Sequence, residues 1–188
     1  MLVSKKSSIT LHKTLTTSFA CSTIALLDVD TFIVGTINHQ RPLRTVTVQG
    51  QEGDIRHKLL PDKQYNKHQG FCTYIPCTKT VVFSDRDQNT LFMCEITSGD
   101  GRVIKSDKIR KRRRICAGPA GTVFVCSGDT QCIVQLSSQG DVLMAHSVDM
   151  NLPYVVSLSR DGRRMVVANC ASGQNVIKLF MVSSEIKG

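Results

Sequence analysis

The sequence predicts an all-β protein of the β-propeller class, because one short block recurs along the chain. The runs at 80–83, 122–125 and 164–167 lie 42 residues apart in both steps, and a weaker copy at 31–34 lies 49 residues before the first. A second strand-like run follows each copy, and a turn with glycine comes next in the first three. A period of about 40–45 residues with several short strands per unit is typical of a propeller blade. The pattern therefore predicts about four blades, each a four-stranded antiparallel sheet.

Composition and hydropathy agree with this class. The chain has 188 residues, 41% of them apolar, which is enough for a sizeable core. Val, Ile, Thr, Leu and Phe recur in short runs, and no helical stripe continues over three turns, which favours strands. No apolar run approaches the ~20 residues that span a bilayer, so we expect no membrane partner. The run at 19–27 is predicted to be a strand rather than a signal peptide, because it starts late and two aspartates follow it.

The repeats divide the chain into an N-terminal segment, 1–18, and a propeller region, 19–188. The predicted blades cover 19–61, 71–106, 115–149 and 154–188, with the last strand of the first blade near 55–60. The fourth blade lacks an outer strand of its own. Either a strand at 9–15 completes it and closes a small disc, or the chain is part of a larger propeller of six blades.

A small polar residue ends each copy of the repeated run: Thr36, Asp85, Ser127 and Asn169. Side chains of these types bond backbone amides one or two residues further on and so start turns. The recurrence predicts that all four are structural turn formers rather than catalytic residues.

The eight cysteines contain no C-x-x-C pair, and the histidines complete no ligand set. Several lie inside strand-like runs, where a thiol packs as a small apolar group. We therefore expect reduced cysteines, no metal site and a cytoplasmic protein.

Several motifs keep their order and spacing from Phe19 to the end of the chain: Phe32-Ile33-Val34-Gly35-Thr36, Thr80-Val81-Val82-Phe83-Ser84-Asp85-Arg86, Gly121-Thr122-Val123-Phe124-Val125-Cys126-Ser127 and Ser159-Arg160-Asp161-Gly162. Together they resemble the C-terminal NHL-like β-propeller of tripartite-motif (TRIM) proteins of the invertebrate type. The resemblance implies recognition of a substrate protein or, in some relatives, of RNA. The RING finger, B-box and coiled coil of that family have no counterpart in this sequence, so no residue here carries ubiquitin-ligase chemistry.

Cationic residues are concentrated between the second and third predicted blades, in a chain of net charge +9. Loops between the second and third strands, and connectors between blades, lie at one end of a propeller, which is the usual binding face. We predict that partner-binding or RNA-binding residues lie there: Lys105, Lys108, Arg110, Lys111, Arg112, Arg113 and Arg114, with Arg41 and Arg86 in neighbouring loops. An acidic protein surface and the phosphates of RNA both suit such a run. A nuclear-import signal and a merely solvated loop remain alternatives.

An enzymatic alternative is a calcium-dependent propeller hydrolase using Asp85, Asn89, Asn169 and Asn175. Their positions in the repeat favour turn formation instead. The sequence contains no G-x-S-x-G, H-E-x-x-H or phosphate-loop motif. We therefore predict no catalytic residue, no cofactor and no small-molecule substrate. The sequence predicts a non-enzymatic recognition module with a protein partner, and an RNA-binding regulator using the connector 108–114 is the alternative.

Overall fold

A computed structural model describes residues 11–55, 57–58, 70–85, 88–169 and 176–182, except for the side chains of Arg112 and Arg113. The described residues form strands and two short 3₁₀ turns, at Pro76–Thr78 and Pro119–Gly121. The strands are β1 (Ala20–Leu26), β2 (Thr31–Ile37), β3 (Leu43–Thr47), β4 (Glu52–Asp54), β5 (Gly70–Ile75), β6 (Thr80–Asp85), β7 (Thr90–Glu95), β8 (Gly101–Ile104), β9 (Arg112–Ala117), β10 (Val123–Ser127), β11 (Cys132–Leu136), β12 (Val142–Ser147), β13 (Pro153–Leu158), β14 (Arg164–Asn169) and β15 (Ile177–Met181).

The strands form four small antiparallel sheets, each taking its strands in sequence order. We call these sheets blade 1 (β1–β4), blade 2 (β5–β8), blade 3 (β9–β12) and blade 4 (β13–β15). Four strands are described in each of the first three blades and three in blade 4. The predicted fold class, an all-β propeller of antiparallel blades, is confirmed.

The hydrophobic core lies between successive blades. One buried cluster joins blades 1 and 2, a second joins blades 2 and 3, and a third joins blades 3 and 4. Every residue of β6 and β10 is buried, because the middle blades are covered on both faces. This two-sided burial explains why the repeated block is a continuous apolar run rather than an alternating one.

The first strand of each blade is innermost, and these four strands line a common cavity of about 380 Å³. β1 packs on β5, β5 on β9 and β9 on β13, so the blades follow one another around an axis. In the described part of the chain, no helix is long and apolar enough to cross a membrane.

The last strand of blade 1 differs from the prediction. β4 covers Glu52–Asp54, immediately after a tight turn in which Gly50 has a φ of 89°. The Gly50 amide donates to the Thr47 carbonyl, so the chain reverses earlier than predicted. Ile55, expected to begin this strand, instead leaves the sheet and is buried between blades 1 and 2. Residues 56 and 59–60 of the predicted strand lie outside the described residues.

The N-terminal segment also differs where it is described. Residues 11–17 form no strand, and Leu15 packs against Phe19, Val34 and Val46 of blade 1. The Lys13 ammonium donates to the Val48 carbonyl of the same blade. Residues 11–15 therefore do not supply the outer strand of blade 4, because apolar contacts hold them on blade 1. Residues 9–10 lie outside the described residues.

Candidate binding face

One end of the array collects the loops between the second and third strands and the connectors between blades, because successive strands alternate in direction. We call this end the connector face. Hydrogen bonds tie its segments together. The Lys111 amide donates to the Asn89 side-chain oxygen over 2.9 Å, and the Thr130 hydroxyl donates to the Lys108 carbonyl over 3.2 Å. The Val148 amide donates to the Gln131 carbonyl. The loops are thus joined into one surface.

The cationic run predicted as a connector is divided between a loop and a strand. The connector from β8 ends at Lys111, and Arg112–Ala117 form β9, the inner strand of blade 3. Pairing of β9 with β10 continues past the apolar residues as far as Arg112 opposite Ser127, with a register shift near the end. Backbone hydrogen bonding is indifferent to side-chain charge, so the sheet extends three residues further than the hydrophobic pattern indicates.

The Ser127 side chain, at the end of β10, holds the connector by hydrogen bonds to its backbone. Its hydroxyl accepts from the Arg110 amide over 2.9 Å and donates to the Arg110 carbonyl over 3.2 Å. The Thr130 hydroxyl oxygen lies 2.6 Å from the Ser127 hydroxyl oxygen, so the two side chains pack directly against each other beneath the connector. Ile109 is fully buried and packs in the core between blades 2 and 3. The backbone is held at two adjacent residues, and the side chain of Arg110 faces solvent.

The exposed cations of the connector differ in how they are paired. Lys111 forms an ion pair of 3.1 Å with Asp129. Lys105, Lys108 and Arg110 are exposed and have no ion-pair partner within the described ranges. These three cations of the connector face are therefore available to a ligand.

The remaining predicted binding residues lie elsewhere or outside the description. Arg41 is in the loop after β2 and lies 3.7 Å from Asp54. The Arg114 guanidinium lies 5.0 Å from the centre of the Phe71 ring, a cation–π contact on the inner strands. Arg86 is outside the described residues, and only the backbone of Arg112 and Arg113 is described. The structure therefore groups Lys105, Lys108, Arg110 and Lys111 in one connector, but places Arg114 apart from them.

The four predicted turn formers lie at or next to the ends of β2, β6, β10 and β14, and all four hydrogen-bond to loop backbone. Thr36 donates to the Arg41 carbonyl, Asp85 accepts from the Gln88 amide, and Asn169 accepts from the Val176 amide. Ser127 bonds Arg110 in the preceding connector. Their partners lie three or more residues away in the sequence, further than the predicted one or two.

The same contacts bear on the calcium-hydrolase alternative. The described side-chain oxygens of Asp85, Asn89 and Asn169 accept from backbone amides of the loops. Asn175 lies outside the described residues. Within the described ranges, no group of three His, Cys, Asp or Glu side chains is placed to hold a metal ion.

The buried thiols are poor nucleophiles. Burial raises the pKa of Cys72 to about 12 and that of Cys116 to about 12, and it raises the pKa of Cys126 as well. These groups stay protonated near neutral pH, and they lie in strands between blades rather than on the connector face.

Sequence reasoning missed two residues that shape the connector face, Asn89 and Ile109. The burial of Ile109 could have been predicted from the sequence, because it is the single apolar residue in the cationic segment 105–114. An isolated apolar side chain in such a loop indicates an anchor. Asn89 has no comparable signal, since its partner Lys111 is 22 residues away in sequence.

No protein-family model matches the sequence, and a search of curated proteins finds no match. Solved structures do match. Hydrazine synthase from Kuenenia stuttgartiensis has a TM-score of 0.68 at 12% identity, over 93% of this chain and 49% of that chain. A functionally unknown protein from Desulfotomaculum acetoxidans DSM 771 has a TM-score of 0.64 at 16% identity, over 87% and 52%. Virginiamycin B lyase from Staphylococcus aureus has a TM-score of 0.61 at 12% identity, over 89% and 57%.

These comparisons define the class of protein as a β-propeller. The chain spans about half the length of the structures it matches. At this low identity the likeness shows the fold alone. The neighbours include enzymes as well as a chain of a nidogen/laminin complex, and the fold by itself does not choose between catalysis and binding.

Proposed function

We propose that the protein is a non-enzymatic recognition module that binds an acidic surface of a protein partner through its connector face. One observation carries this proposal. The exposed cations Lys105, Lys108 and Arg110 stand on a backbone that Ser127 and the buried Ile109 hold in place. A fixed set of cations attracts and orients an acidic partner with little ordering cost on binding.

The resemblance to TRIM propellers suggests a finer role, which is substrate recognition for a ubiquitin ligase. In that arrangement the propeller binds the substrate, and a RING finger supplies the ligase chemistry. The described cysteines are free thiols, which supports a cytoplasmic setting for such a module.

RNA binding is the alternative that the same cations support, because guanidinium groups bind phosphate oxygens. Base-specific recognition of RNA relies on exposed aromatic faces for stacking. Phe71, the ring beneath Arg114, is buried and offers no such face. A protein partner is therefore the function that we favour.

The test measures binding of a fluorescent Glu/Asp-rich peptide by anisotropy at low and physiological salt. We expect the double variant Lys108→Ser/Arg110→Ser to bind the peptide more weakly, by about two- to fivefold per cation removed. The matched control is Lys79→Ser/Arg102→Ser, which removes the same charge from blade 2 at the end opposite the connector face.

The two double variants distinguish the possible results. Equal weakening in both would show that only net charge matters and would contradict the proposal. A labelled poly-uridine RNA serves as the second probe. Tighter binding of that RNA than of the peptide, with a salt slope reduced only in the connector variant, would favour the RNA alternative.

A further inference from the structure

The two ends of the blade array leave apolar sheet faces uncovered, and equivalent positions in the repeat show this clearly. Leu43, Leu91 and Ile133 occupy one position of the third strand, opposite Gly35, Ser84 and Cys126. All three are 0% exposed, because the following blade covers them. Ile177 holds the same position in blade 4, opposite Ala168, and is 74% exposed.

The first blade shows the complementary gap. Cys72, Ile115 and Val156 occupy one position of the inner strand and are 6%, 7% and 4% exposed. Each of them faces the preceding blade. Ile24 holds the same position in blade 1, opposite Val34, and is 64% exposed. Thus, among the described residues, no blade packs on the outer face of blade 4 or on the Ile24 side of blade 1.

The packing inside the chain shows which surfaces would meet. Leu43 of blade 1 shares a buried cluster with Cys72 and Phe83 of blade 2. Ile133 of blade 3 likewise shares one with Val156 and Val167 of blade 4. By the same rule, the exposed counterpart of Ile177 is Ile24, because Leu15 and Phe19 of the same chain already cover the neighbouring Val34. Ile24 lines an apolar hollow of about 470 Å³ on blade 1, together with Leu15 and Val34.

The apolar surface on blade 4 is continuous. Ile177, Leu179 and Met181 alternate along one side of β15, and all three are exposed. Val166 lies opposite Leu179 on β14 and is also exposed. Contiguous exposed apolar patches of this kind mark interaction surfaces.

Charge complements the apolar surfaces at the end opposite the connector face. There the turns after the first strands of successive blades touch. A Cβ placed at Gly121 would contact Cys77, and one at Gly162 would contact Pro119. The corresponding turn of blade 1 carries exposed Asp28 and Asp30. The turn of blade 4 carries one aspartate and three arginines: Asp161, Arg160, Arg163 and Arg164.

We propose that a second copy of this chain covers these faces, with blade 4 of each copy packed on blade 1 of the other. The contact repeats the interface that already joins successive blades three times within the chain. Both halves of the contact are present in every molecule, so a two-fold dimer uses both faces and closes. This inference is independent of the proposed binding function.

Sedimentation equilibrium and light scattering on the full chain test the proposal. We expect a mass twice the 20.7 kDa of one chain, and expect it to fall to one chain in Ile24→Glu and in Ile177→Glu. The matched control is Leu143→Glu, an equally apolar and exposed residue on the outer strand of blade 3. It should leave the dimer intact. Circular dichroism verifies that each variant is folded, which is expected because all three positions are exposed.

A mixing experiment distinguishes specific dimerisation from nonspecific hydrophobic association. Ile24→Glu retains an intact blade 4 face, and Ile177→Glu retains an intact blade 1 face. An equimolar mixture should therefore recover a two-chain complex that neither variant forms alone. A parent that remains monomeric, a mass that grows without limit, or a dimer indifferent to both substitutions would each overturn the proposal. A monomeric parent would leave these faces to a sheet of another protein.

Discussion

Replacing Ser127 with alanine tests how the connector is held. The substitution removes the acceptor for the Arg110 amide and the donor for the Arg110 carbonyl, and it leaves a fully buried position without its hydroxyl. Leaving a part-buried amide unsatisfied costs about 1–3 kcal/mol. For a domain of this size, about 2 kcal/mol lowers the melting temperature by roughly 4–8 °C.

The assay is chemical denaturation followed by circular dichroism, with thermal melting as a second measurement. Thr130→Ala is the matched control, because it removes a hydroxyl from the same cluster but leaves Ser127 bonded to Arg110. We expect the control to lose less than half as much free energy of unfolding as Ser127→Ala. A change below about 0.5 kcal/mol in Ser127→Ala would refute the argument, since that is the range of ordinary surface substitutions.

The effect should extend to binding. A connector that is no longer fixed at Arg110 must lose conformational freedom when it meets an acidic partner. Ser127→Ala should therefore weaken binding of the acidic peptide although no cation is removed. Unchanged peptide affinity in a destabilised variant would show that the hydrogen bonds support the fold but do not preorganise the cations.

Three further predictions concern packing, thiol chemistry and pH. In Gly101→Ala, the new Cβ would overlap the Met93 carbonyl oxygen of the neighbouring strand. We therefore expect the free energy of unfolding to fall by about 1–3 kcal/mol in denaturation experiments. An unchanged denaturation midpoint would contradict this close approach. A thiol reagent at pH 7.5 should label the exposed Cys21 and Cys77 rapidly but Cys72 and Cys126 only after unfolding, and rapid mass-spectrometric labelling of Cys72 would be inconsistent with its raised pKa. Hydrogen bonds from the Thr97 and Ser98 amides lower the pKa of Glu95 from 4.5 to about 2. The stabilisation from ionised Glu95 is therefore complete above pH 4.5 and is lost as the pH falls towards 2. Between pH 5 and pH 3, the free energy of unfolding of Glu95→Gln should fall less than that of the parent, and parallel curves would contradict this assignment.

The repeat made the sheets predictable because interior strands are buried on both faces and carry unbroken apolar runs. β4 was not predicted at its observed position, because its residues, Glu52–Asp54, have no apolar pattern. Its position depends on the turn at Gly50 and on pairing with β3. Ile55 was misplaced for the same reason, since burial between blades attracts an apolar residue whether or not it belongs to a strand.

The connector between blades 2 and 3 shows how far the candidate binding face could be predicted from the sequence. Charge density marked the segment 105–114, but charge does not indicate where backbone pairing begins, so Arg112 and Arg114 were expected in a loop and lie in β9. The contacts of Ser127 with Arg110 and of Asn89 with Lys111 join residues far apart in the sequence. Such contacts follow from the positions of neighbouring blades, which local patterns do not specify.

The sequence order of strands within every blade has a consequence for how this protein acquires its structure. Each pair of strands joins neighbours along the chain, so no pairing has to wait for a distant segment, and the entropy lost in closing each intervening loop is small. Folding can therefore begin at any of the four sheets and spread to the adjacent one, as in other repeat arrays. The middle blades, buried on both sides, gain most from this spreading and are expected to open last in native-state hydrogen exchange.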